Sequence, residues 1–209
     1  MSTRILKEEQ QYCNMAIYRI FPEKDSFIYT DQITGNAGKD EILEIGGYPG
    51  ITDSTGQTAR LLMKFSDSEI DDVIDNKIGS TNFSSSLKLY LADADELPVD
   101  YTLNAYPLYT PGITEWDNGT GKAGDVPVNT TGVSWTYING GSTNAWSTSG
   151  FTAFTTASFK VGKEGGGNWY TASNGESMEF SQNHLINSTH EVDINITAGI
   201  KQIYNNQLS

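Results

Sequence analysis

One cysteine, Cys13, stands in 209 residues, so no disulfide can form within the chain and a disulfide-stapled secreted scaffold is excluded. The two histidines, His184 and His190, lie six residues apart with no cysteine near them, which is not a zinc pattern. The sequence has no nucleophile elbow, no phosphate-binding loop and no dinucleotide fingerprint. Bases are scarce, with 13 Lys and Arg against 26 Asp and Glu, a net charge of −13. The phosphates of nucleic acid and an anionic membrane surface would both be repelled, so neither is expected as a partner. No apolar run approaches the ~20 residues of a membrane span. The opening stretch, MSTRILKEEQQYCN, lacks the apolar core of an export signal, and synthesis in a cytoplasm is the expectation. The acid-rich stretches DSEIDD and ADADE lack the glycine and glutamate spacing of a calcium loop. A glycosidase needs only two carboxylates, but in so acidic a chain such pairs arise by chance. The expectation is a protein that is not an enzyme and carries no cofactor and no metal.

What the chain does have is β pattern, small polar residues and aromatics. Hydrophobic residues are only 37%, but 11% aromatics and many β-branched residues argue against disorder. IYRIF (17–21), SFIYT (26–30) and DEILEIGGY (40–48, with Leu43 and Ile45 on one face) read as strands. ARLLMKF (59–65) puts Leu61, Met63 and Phe65 on one face. SSLKLYLADA (85–94) alternates through Leu87, Leu89 and Leu91, and YTLNAYPLY (101–109) follows as an expected hairpin partner, with Pro107 bending its end. Ser66 and Glu69 form a capping-box signature for a short helix over 66–78, with Ile70, Val73 and Ile74 as its apolar stripe. A late strand through Val192, Ile194 and Ile196 runs into a helix expected to be capped by Thr197, with Ile200, Ile203 and Tyr204 on one face. Together these predict an all-β fold: an antiparallel, jelly-roll-like β-sandwich with one or two short peripheral helices. Residues 1–16 read as an N-terminal arm and 17–209 as one domain, with a long Gly/Ser/Thr-rich loop near 147–177.

The tryptophans carry the functional question. Trp116, Trp135 and Trp146 fall within a segment otherwise made of Gly, Thr, Asn and Asp. Trp135, in GVSWTY, reads as core. Trp116 and Trp146 either clamp the loop against the sandwich or offer faces on which a sugar ring could stack. Trp169 and Tyr170 follow KEGGGN, a stretch that cannot pack. One of them would be exposed at a loop tip, or the loop would tuck onto the core. The candidate binding residues are therefore Trp169, Tyr170, Trp116 and Trp146.

The order of these motifs (DSFIYT, EILEIGGY, ARLLMKF, SSLKLYLADA, YTLNAYPL, then W-x-x-G-x-G, GVSWTY and VDINIT) resembles the DNRLRE-type β-sandwich domain. In its details it is similar to structural proteins of T4-like tailed phages. The resemblance covers residues 17 to 206. It implies a non-catalytic virion component at neck, head or tail, assembled in the host cytoplasm and acting in symmetric copies by docking on other virion proteins. A related expectation is a carbohydrate-binding module or adhesin that recognises surface glycans. The family carries further strands after the late helix. This sequence ends at IYNNQLS, so either it is a piece of a longer chain or a neighbouring chain is expected to complete the sandwich.

Overall fold

The computed structural model describes residues 16–48, 57–92, 100–109, 115–140, 144–146, 154–156, 165–185 and 191–208. The expected arm before residue 16, Cys13, His190 and most of the 147–164 stretch lie outside them. Every strand pairing among the described residues is antiparallel, and only two short α-helices accompany the strands. The fold is all-β.

Strands β1 (Lys24–Tyr29), β2 (Gly46–Tyr48) and β3 (Gln57–Lys64) form a three-stranded sheet with β3 in the middle. Ser26 faces Leu62 and Ile28 faces Arg60 across the β1–β3 ladder. Ile28 and Leu62 thus share one face and enter the main core. Leu61 and Met63 share the opposite face of β3, as expected, and are half-buried there. Residues 17–21 form no strand, and Ile17 and Phe21 are 83% and 75% exposed. The 40–48 segment narrows to the three residues of β2, and Ile42 and Ile45 face water.

Helix α1 (Asp67–Val73) continues into a π-helical turn (Ile74–Ile78) and buries Ile70 and Ile74. Ser66 stands at its N-cap as expected, yet makes no capping bond; its hydroxyl meets that of Ser68 at 3.0 Å instead.

Strands β4 (Ser86–Leu89) and β5 (Tyr101–Ala105) are not a hairpin. Each pairs with a strand from the end of the chain: β5 with β10 (Phe180–His184), and β4 with β11 (Val192–Asn195). The two ladders lie side by side, and the Gln182 side chain bonds across them. Gln182 Nε2 donates to Glu191 O at 3.0 Å, and Gln182 Oε1 accepts from Asp193 N at 2.6 Å. The alternation of β11 is as the sequence predicts, with Val192 and Ile194 buried.

Between them, β6 (Phe154–Thr156) pairs with β7 (Asn168–Tyr170). Residues 107–109 run along the other edge of β7: Tyr170 N donates to Pro107 O and Tyr109 N to Asn168 O. A tight hairpin follows, β8 (Ala172–Ser173) to β9 (Glu176–Ser177). Its turn residues Asn174 and Gly175 have φ of 49° and 81°, the two left-handed positions such a turn demands. Helix α2 (Thr197–Tyr204) closes the chain. Its cap differs from expectation. Thr197 is its first residue and bonds Ser85 across the fold, while Asn195 Oδ1 receives the Thr197 N–H. Its buried residues are Gly199 and Gln202, and Ile200, Ile203 and Tyr204 are only half-buried.

Candidate functional site

The aromatic loop of residues 115–146 is folded inward around one amide. Asn36 is 1% exposed. Its Nδ2 donates to Asn118 O at 2.7 Å and to Val133 O at 2.8 Å. Its Oδ1 accepts from Gly121 N at 2.8 Å and Gly38 N at 3.3 Å. Both donors and both acceptor positions of the side chain are filled, as burial of a polar group requires. Gly119 closes the contact from the other side. Its φ is +75°, and a Cβ there would lie 2.5 Å from Asn36 Oδ1.

This closure puts the tryptophans in the core. Trp116, Trp135 and Trp146 pack with Ile28, Leu62, Val133 and Ile138. Trp146 Nε1 donates to Ser134 O at 3.0 Å, so the indole keeps a partner when it leaves water. No strand forms at GVSWTY; Val133, Ser134 and Trp135 are all buried in succession. Tyr170 is buried too, packed with Met178, Tyr109 and Phe180. Of the four candidate binding residues, Trp116, Trp146 and Tyr170 therefore present no ring to solvent. Trp169 is half-buried.

Trp169 belongs to a cluster that the motif reading did not single out. The guanidinium of Arg60, on β3, sits 4.6 Å from the ring centre of Trp135 and 4.9 Å from that of Trp169. Arg60 Nη1 also donates to Gly166 O at 2.5 Å. Burial between the two indoles pulls the arginine down to about 10. The Tyr106 ring lies 5.6 Å from Trp169 at a 33° tilt. Burial, then a hydrogen bond to Glu179, pushes the Tyr106 phenol up to about 12. The arrangement holds a cation between two indoles, with a protonated phenol and a carboxylate at its rim. The contacts it shows are cation–aromatic stacking and the Gly166 carbonyl bond.

A second depression, of about 260 Å³, is lined by Asp100, Tyr101, Thr102, Asn183, His184 and Leu185. The buried His184 imidazole stacks on Tyr101 at 4.9 Å and 10°. Among the described residues no group of three His, Cys, Asp or Glu side chains could hold a metal ion. Among the same residues no helix is long and apolar enough to cross a membrane. Comparison with protein families, with curated proteins and with solved structures finds no match for this chain.

Proposed function

We propose that the chain is a non-catalytic structural protein of a tailed-phage virion, a neck, head or tail accessory component that acts by docking on other virion proteins. On this reading the strands are those of a jelly-roll-type sandwich. The observation that supports it is where the large apolar side chains are spent. The tryptophan-rich loop, the obvious candidate for a ligand face, is closed into the core. Ile17, Phe21 and Tyr90, the last 79% exposed, stand in water. Ile17, Tyr18 and Phe21 fall within five residues of one another, and exposed apolar side chains that lie together favour contact with other proteins over small polar ligands. The test is mass spectrometry of density-banded particles from an infected host. Peptides of this chain should co-purify in fixed ratio to the capsid protein. Recovery only from the particle-free fraction would refute the assignment.

Glycan recognition is a second reading, favoured by one feature. Trp169 and Tyr106 are half-exposed neighbours with Glu179 beside them, an aromatic face with a polar rim. Polysaccharide should then shift the tryptophan emission of the intact chain and not that of a Trp169→Phe variant. A flat response across a polysaccharide panel counts against it.

A further inference from the structure

We propose that Asn174 modifies itself: the Asn174–Gly175 step at the tip of the β8–β9 hairpin closes to a cyclic imide and opens to aspartate or isoaspartate, which loosens helix α2 from the hairpin. The inference stands apart from the docking reading and needs no partner.

The chemistry is open to any asparagine followed by glycine. The glycine backbone nitrogen attacks the asparagine Cγ, and a C–N bond forms. The side-chain amide leaves as ammonia, taking the proton of the glycine N–H with it. A five-membered imide remains. Water then adds across one of its two C–N bonds. One opening gives aspartate. The other gives isoaspartate, in which the main chain runs through the former side-chain carbonyl. Nothing is oxidised or reduced, and water is the sole co-reactant.

Three such steps occur in the chain, Asn118–Gly119, Asn139–Gly140 and Asn174–Gly175. The fold treats them differently. Ring closure needs an available glycine N–H, room around the peptide and access for water. Gly119 N donates to Asp117 Oδ1 at 3.1 Å, and a Cβ there would lie 2.3 Å from Thr131 O. A Cβ on Gly140 would lie 2.9 Å from Gly132 N. Asn139 is half-buried, with its Oδ1 tied to Asn144 Nδ2 at 2.7 Å. Around Gly175 the same position has nothing within 4 Å. Asn174 and Gly175 are both exposed. The ladder pairs the flanking residues Ser173 and Glu176, which leaves the Gly175 N–H at the turn facing water.

One contact restrains the reaction and is destroyed by it. Asn174 Nδ2 donates to Gln202 Oε1 at 3.0 Å. Gln202 belongs to α2 and is 6% exposed, and the same oxygen accepts from Ser173 Oγ at 3.2 Å. While the amide is held there, its Cγ turns less freely toward Gly175 N. Once the amide has become a carboxylate it has no proton to donate, and two acceptors face each other. Isoaspartate also adds a methylene to the main chain, in a turn that requires positive φ at both central residues. Either product adds a negative charge to a chain already at −13. Helix α2 thus loses a tie to the hairpin, and the change runs one way.

The full-length chain, kept folded in mildly alkaline buffer and sampled over weeks, tests this by peptide mapping with enzymatic labelling of isoaspartate. Asn174 should convert several-fold faster than Asn118 and Asn139. In concentrated urea the three should convert at similar rates. Asn174 left intact, conversion led by either other step, or the same ranking in urea overturns the proposal. Gln202→Ala should speed conversion at position 174 several-fold and leave the other two steps unchanged, and an unaltered rate overturns the restraint by Gln202. The aged parent chain supplies a readout that needs no variant. Amide exchange in α2 should be faster in its converted fraction than in its unconverted one. Equal exchange in the two fractions overturns the coupling to α2.

Discussion

Asn36 spends its whole side-chain amide on joining two loops that lie more than eighty residues apart in the chain, at Asn118 and Gly121. An Asn36→Ala change strands the Val133 carbonyl and the Gly121 N–H in a site with little room for water. At about 1–3 kcal/mol per buried group left unpaired, we expect a loss of about 2–6 kcal/mol, read as a lower urea midpoint at unchanged slope. Trp135→Ala removes the ring against which both the core and Arg60 rest. Loss of such a buried ring costs about 3–5 kcal/mol, and the same denaturation curve reads it. Tyr106 gives a pH signature. Its folded value is raised from 10.0 to about 12, first by burial and then by Glu179. The stabilisation is therefore whole below pH 10 and is lost as pH rises through the folded value, because the unfolded chain ionises first. Arg60, lowered from 12.5 to about 10, works in the opposite sense over an overlapping range. Tyr106→Phe should accordingly make the alkaline fall in unfolding free energy shallower. A fall as steep as in the parent chain would place the raised phenol elsewhere.

Gln182 bonds across two ladders that share no strand. Gln182→Ala leaves Asp193 N and Glu191 O without their partner. We expect amide exchange in β4 and β11 to separate in rate from that in β5 and β10. Equal protection in all four strands would show that side-chain packing alone couples them. The legibility of the fold divides along the same line. Period-two alternation marked β11 because one of its faces is buried and the other wet, and helical spacing marked Ile70 in α1 and Ile74 in the turn that continues it. The pairing of β4 and β5 was not legible. Alternation says which face is buried, and says nothing about which strand lies alongside. Residues 17–21 carried strand composition without a partner, so propensity named an element that the isolated chain does not make. Asn174-Gly175 was a legible hairpin signal, passed over in a stretch taken as one long loop. The Asn36 contacts, and the cation held between Trp135 and Trp169, arise from residues far apart in sequence, and no local pattern announces them. Burial of Trp116 and Trp146 follows from that closure.

At the scale of the whole molecule, the net charge of −13 opposes any approach of two copies. Screening falls to a few ångströms as salt rises toward 1 M, so any self-association should tighten with ionic strength. Sedimentation in about 20 mM and about 500 mM sodium chloride checks this, and weakening by salt would point to an interface built on attraction between opposite charges. The pairing of early strands with late ones also has a consequence in time. Leu89 finds its ladder partner at Val192, and Ala105 finds its own at Phe180. On a ribosome adding about 5–20 residues per second, β4 waits on the order of 5–20 s between its own synthesis and that of β11. Throughout that interval its edge is open on both sides, in a cell making many copies at once. The topology thus makes the nascent chain, more than the finished one, the species that most needs a chaperone.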